Sequence, residues 1–149
     1  MTDLYPPDLN SGTLAQAITT LVQPLREAGV HVDLDLDELP DLQPEIAVTL
    51  YRVTREVLAN VQKHARATQV TVTAIASAGA ETGASDRVRL VVTDNGIGAD
   101  PRRLDRRREG HLGLRLVIDR VQNAGGQLTL TSAPGKGTRV ETELPTQQP

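Results

Sequence analysis

The stretch Val88–Asp100, VRLVVTDNGIGAD, decides how the rest of the chain is read. A run of aliphatic residues ends in Asp94, and Gly96 and Gly98 then bracket a lone Ile97. Asn-Gly after a strand is a good hairpin-turn signal, yet a hairpin turn leads into a second strand. This one leads into Asp100, Pro101 and an arginine-laden loop, so a turn facing a ligand is favoured. A carboxylate at the buried end of a strand can accept from an exocyclic amine, and glycines let a flat ring lie against the main chain.

Composition narrows the ligand. The 149 residues are enough for one domain with a real core. With 16 basic and 19 acidic residues the formal net charge is -3, unlike the strongly basic footprint of a nonspecific nucleic-acid binder. Tyr5 and Tyr51 are the only aromatics, which removes the stacking platforms that single strands need and leaves Val, Leu, Ile and Ala to build the core. Cysteine is absent, so disulfides, thiolate metal sites and thiol nucleophiles are excluded. No apolar run approaches the roughly 20 residues needed to span a bilayer, and the start MTDLYPPDLN lacks the basic and apolar regions of a signal peptide. A soluble, cytoplasmic chain without direct membrane contact or a nucleic-acid partner is expected, any membrane anchor being left to a parent protein.

Outward from the glycines, the pattern alternates between helix and strand without regularity. Residues 1–12, rich in Pro, Asp and Gly, read as a lead-in, and Ser11 can cap a first helix that runs through Ala28 to a stop at Gly29. Leu14, Ile18, Leu21, Val22 and Leu25 recur at helical spacing, with Pro24 a potential kink. VHVDLDL at 30–36 alternates as a strand with one wet face. A second helix is expected from Pro44 to about Arg66, then strands at QVTVTAIA (69–76) and RVRLVVTD (87–94). A third helix covers LGLRLVIDRVQNAGG, with Leu114, Val117, Ile118 and Val121 on one face. GQLTLTS, the turn APGKG and TRVETELP close the chain as a hairpin. The expected fold is α+β, with helices on one face of a sheet.

On the second helix Glu56, Asn60 and His64 fall four apart along one stripe, with Lys63 beside it. Leu50, Val57 and Val61 lie just round the cylinder, so the stripe borders the core, while Arg55, Gln62 and Arg66 take the solvent side. A solvated helix edge explains this spacing as well as a site does. Asn60 is the informative residue, because Asn is a mediocre helix former whose amide oxygen suits Mg²⁺, a cation that prefers hard oxygen ligands. Gly110 and Gly113 in EGHLGLRL frame a helix start, where free amides and the dipole favour anions. GKGT near the end is no P-loop, since the order GxxxxGK[ST] and a following helix are both missing; Gly135 and Gly137 read as turn residues.

The order of these elements resembles the ATP-binding domain shared by gyrase, heat-shock chaperone, histidine kinase and mismatch-repair ATPases. EVLANVQKHA resembles their N box, DNGIG the first glycine box, GHLGL the second, and GKGT the last shared turn. The wording is most similar to sensor histidine kinases of the NarX and DesK group, and the resemblance covers Leu14 to Pro145. It implies a Bergerat-type two-layer α/β sandwich, with a mixed, mostly antiparallel sheet, about three helices on one face and a flexible ATP lid. It divides the chain into the lead-in at 1–12, a catalytic domain at 13–146 and a tail at 147–149.

By that resemblance Asp94 accepts the adenine amine, Gly96, Ile97 and Gly98 seat the base, and Thr138 hydrogen-bonds near the same edge. Asn60 ligates Mg²⁺ with Glu56 orienting water nearby, both in positioning roles. Lys63 and His64 face phosphates or ribose, and Gly110, His111, Leu112, Gly113 and Leu114 wrap the triphosphate. Ala99 to Gly110 is the lid, in which Arg102, Arg103, Arg106, Arg107 and Arg108 are interspersed with Asp100, Asp105 and Glu109; at most one or two of these arginines touching phosphate is the expectation, in a loop otherwise solvated and paired with its own acidic residues. Leu116 stands where the group commonly has a small residue. The histidines are His31, His64 and His111, none on a dimerising helical hairpin, so the resemblance implies the catalytic domain of a two-component kinase. It would bind Mg·ATP and pass the γ-phosphate to a His of a separate hairpin, for relay to a LuxR-type response regulator. Two other readings are an anti-sigma-type serine kinase, which shares the architecture, and a nucleotide-sensing module that binds without transfer.

Overall fold

The computed structural model describes residues 13–79, 86–98 and 108–147, and gives only the backbone of residues 64, 65 and 108–113. Five strands form one sheet in the order β1-β2-β3-β5-β4. They are β1 (His31–Asp35), β2 (Gln69–Ser77), β3 (Arg87–Asp94), β4 (Gln127–Ser132) and β5 (Thr138–Pro145). β1 pairs parallel with β2, and every other pairing is antiparallel. The mixed, mostly antiparallel α+β sandwich is thus as expected.

The helical layer begins with α1 (Leu14–Leu21) and α2 (Gln23–Glu27), where the sequence suggested a single helix. Pro24 is the reason: it has no amide to continue the ladder and its ring crowds the preceding turn, so the chain breaks at Val22 and Pro24 takes the first turn of α2. The cap of α1 is Thr13, not Ser11, which lies outside the described residues. Thr13 Oγ1 accepts from the Gln16 amide at 3.2 Å while Gln16 Oε1 accepts from the Thr13 amide at 2.9 Å, a reciprocal box that satisfies two donors at once.

Helix α3 (Pro44–Asn60) starts at the expected proline. Beyond Asn60 it does not stay α-helical: Val61–Ala65 form a π turn, ended by Arg66 in the left-handed conformation at φ 51°. Helix α4 covers Arg108–Asn123, starting before Gly110 because Arg108 and Glu109 are better helix formers than glycine.

The core lies between the layers. Strand alternation turns Val70, Val72 and Ala74 of β2, Val88, Leu90 and Val92 of β3, and Val140 and Leu144 of β5 toward Ile18, Ile46, Leu50, Val53, Val57, Val117 and Val121 of the helices. Burying aliphatic side chains at about 25 cal/mol per Å² is the main stabilising term. Leu116 is 54% exposed, so its size in place of a small residue costs no packing.

Candidate functional site

On β3 the inward positions are Val88, Leu90, Val92 and Asp94, all buried. The core-facing row therefore ends in a carboxylate. Register places Asp94 between Val70 of β2 and Thr138 of β5, and Thr138 in turn opposite Ser132 of β4. Four strands thus contribute one transverse row, Val70–Asp94–Thr138–Ser132, at one end of the sheet.

Asp94 is 7% exposed. Its Oδ1 accepts the Gly96 amide at 2.8 Å. Burial pushes the carboxyl above its ordinary value, and hydrogen bonds from the backbone of Gly96 and Thr138 pull the other way without cancelling it. Taking a carboxylate out of water in this way costs stability. Such a group has a natural complement in a ligand bearing hydrogen-bond donors. The Thr138 hydroxyl lies 2.8 Å from Ser132 Oγ, which also donates to the Gly137 carbonyl at 3.1 Å, so the second polar group of the row is held in place by the third.

The glycines beyond Asp94 meet another turn as well as any ligand. Gly98 has φ +64° and lies against the Ala133 carbonyl, where a side chain would collide with backbone. Gly137 has φ +73°, and a Cβ there would run into the Asp94 carbonyl. The Gly135 amide donates to the Ile97 carbonyl at 2.6 Å. The DNGIG loop and the β4–β5 turn therefore interlock, and two glycines are required because backbone approaches backbone. Gly137 is the turn residue that the sequence suggests, and the contact with Asp94 adds to that role. Ile97 is 51% exposed, which leaves its side chain available to a ligand.

Asn95 is no hairpin residue. Its Oδ1 accepts from the amides of both Thr68 and Gln69 at 2.9 Å, and its Nδ2 donates to Thr68 Oγ1 at 2.9 Å. Asn95 and Ser132 are the site-supporting residues that sequence reasoning missed. Both act across long sequence separations or between strands, where no local signal exists.

Glu56 and Asn60 are half-buried on α3 beside buried Val57 and Val61, so the stripe does border the core. Beyond Asn60 the backbone passes into the π turn of Val61–Ala65, whose winding differs from that of the α-helix. The side chain of His64 lies outside the described residues. Lys63 is exposed. Gly110 is the third residue of α4 and Gly113 the sixth, so Gly113 lies inside the helix instead of framing its start. The side chains of His111 and Leu112 and the segment 99–107 are outside the described residues. Leu114 is a core residue at 9% exposure.

The donor set can be weighed against a hard cation. Asn60 and Glu56 offer oxygen ligands one helical turn apart, which fits Mg²⁺. Among the described residues no three His, Cys, Asp or Glu side chains converge on a metal position, so most oxygens around a cation held here would come from a bound nucleotide and water. No helix among the described residues is long and apolar enough to cross a membrane.

Comparison with known proteins places this architecture. A family model described as histidine kinase-, DNA gyrase B- and HSP90-like ATPase matches residues 45–148. The chain is 36% identical over 146 residues to the signal transduction histidine-protein kinase/phosphatase UhpB of Salmonella typhimurium, covering 95% of this chain and 26% of that protein. It is 32% identical to the nitrate/nitrite sensor protein NarQ of Escherichia coli, covering 92% of this chain and 22% of that one. The chain thus spans about a quarter of the length of these relatives. In structure it is similar to the ATP-binding domain of PrrB from Mycobacterium tuberculosis, with a TM-score of 0.61 at 23% identity, covering 91% of this chain and 95% of that one. With the family model spanning well over half its residues, the chain belongs to the histidine kinase-, DNA gyrase B- and HSP90-like ATPases.

Proposed function

We propose that the chain is the ATP-binding catalytic domain of a two-component sensor histidine kinase of the NarX and DesK type. The observation that carries this is Asp94: a carboxylate kept 7% exposed at the end of a core row, flanked by a hydroxyl pair and two interlocked glycine turns, suits an adenine amine. In this reading Asp94 accepts from the amine, Thr138 fixes the neighbouring ring edge, and Ile97 covers a face of the base. The catalytic domain takes in residues 13–146, with 1–12 leading from a dimerisation hairpin and 147–149 as a tail.

Asn60 would hold Mg²⁺, with Glu56 ordering water beside it. Bound there, the cation would neutralise phosphate charge during transfer. The chain's own contribution is positioning: Asp94 and Thr138 hold the base, and the first turn of α4 offers free amides to phosphate oxygens. The γ-phosphoryl group leaves the β-phosphate oxygen, ADP departs, and a phosphorus–nitrogen bond forms to a His imidazole of the parent's hairpin. A response regulator then receives the phosphoryl group from that His.

The test is to mix the chain with Mg·ATP and the parent's helical hairpin. Acid-labile phosphate on a hairpin His is the expected result. Phosphate on a partner Ser, or nucleotide binding with no transfer, would replace this reading with a serine kinase or a sensing module.

A further inference from the structure

Asn95 joins two parts of the molecule that the sequence keeps far apart. On one side it comes directly after Asp94. On the other, its side chain and backbone bind the segment that leaves the π turn: Oδ1 takes the amides of Thr68 and Gln69, Nδ2 reaches Thr68 Oγ1, and the Asn95 amide donates to the Gln69 carbonyl at 3.2 Å. The two amides can only donate, so the side-chain oxygen is assigned without ambiguity. The Thr68 carbonyl in turn accepts from His31 of the edge strand at 2.9 Å. Between Asn60 and Thr68 lie only the π turn, left-handed Arg66 and Ala67. At its other end the same loop is fastened by Ile97 and Gly98 to the β4–β5 turn.

We infer that Asn95 is a positioning residue that sets the distance between the base half of the site, built on Asp94, and the metal half, built on Asn60. The inference rests on the nucleotide reading proposed for this chain. Asn95 is exposed, so its bonds compete with water and contribute modestly to folding. Their effect lies in geometry. A ligand that spans both halves gains from having the second contact presented at the right distance, as a tethered group does, whereas a ligand that fills one half gains nothing.

This predicts a pattern that a purely structural role would not produce. In the full chain, Asn95→Ala leaves the affinities for adenosine alone and for Mg²⁺ with inorganic triphosphate alone within about twofold of wild type. It weakens Mg·ATP about five- to tenfold, the range of one typical net hydrogen bond. Asn95→Asp keeps the acceptor for both amides and lets the Thr68 hydroxyl supply its own proton, so it recovers most of the Mg·ATP affinity. Titration of the three ligands, with circular dichroism to confirm folding, reads this out. Equal losses for adenosine and Mg·ATP, unchanged Mg·ATP affinity, or an Asp variant no better than Ala would each overturn the inference while leaving the nucleotide reading intact. A wild-type chain that binds no Mg·ATP would overturn both.

Discussion

The α-carbon of Gly137 faces the backbone carbonyl of Asp94 so closely that no side chain fits between them. The residue carrying the buried carboxylate is therefore held from behind by a turn more than forty positions later in the chain.

Gly137→Ala should destabilise the fold by at least about 2 kcal/mol, combining left-handed strain with a backbone collision. Gly135→Ala is the control. Gly135 has a similar φ of +76° but open space where a Cβ would stand, so it should lose only the strain, about 1 kcal/mol. Denaturant melts of both variants check the difference, and adenosine binding should suffer only for Gly137→Ala. Equal losses from the two would show that the collision relaxes freely.

Asp94→Ala should weaken ATP by about 1 to 3 kcal/mol, because the adenine amine loses its acceptor. The loss should be specific to the base. Wild type should prefer ATP over GTP, whose carbonyl at the equivalent ring position would meet the carboxylate lone pair against charge, and the variant should lose most of that preference. A folded Asp94→Ala protein that keeps both affinity and preference would remove adenine from this site.

Asp94 also sets a pH dependence. Its folded-state carboxyl is raised from the ordinary 3.8, chiefly by burial, so the folded protein holds the proton more tightly than the unfolded chain does. Ionising it therefore costs stability as pH rises from 3.8 through the raised value, and the full cost persists above that window. Asp94→Asn should accordingly melt at a higher temperature than wild type at neutral pH, with the gain fading as the solution is acidified toward about pH 4. ATP affinity should move oppositely in wild type, falling as the acceptor is protonated. A melting difference independent of pH would contradict the assignment.

Asn60→Ala should lower ATP affinity in Mg²⁺ about tenfold, roughly the value of one charge-assisted contact, and leave adenosine binding unchanged. Calorimetry with and without Mg²⁺ separates the two. Parallel losses for both ligands would mean that Asn60 supports the base and not the metal.

The strands were the most legible part of the sequence. Alternation at Val70, Val72 and Ala74 and at Val88, Leu90 and Val92 reports burial directly, and the bounds of RVRLVVTD coincide with β3. The inward row also brought Asp94 into view, because a carboxylate at the fourth inward position breaks an aliphatic pattern. What escaped is whatever depends on distant partners. The π turn at Val61–Ala65 leaves Val57 and Val61 both buried, so apolar spacing does not distinguish it from a continuing α-helix. The clamp from Asn95 to Thr68 and the collision awaiting any side chain at Gly98 arise only when separate turns meet. Pro24, a potential kink in the sequence, divides the helix, since its missing amide falls where the ladder would have continued.

The interlocked turns also bear on the order in which the molecule assembles. The β4–β5 and β2–β3 pairs join neighbours in the chain, whereas β1 must wait for α3 to bring it alongside β2. Local pairings form before distant ones, because closing a longer loop costs more entropy. The loop after Asp94 leans on β2 at one end and on the β4–β5 turn at the other, so it takes shape only after both pairs have come together. A ligand of that loop meets no receptor along most of the folding route; adenosine should slow unfolding while leaving the refolding rate as it was.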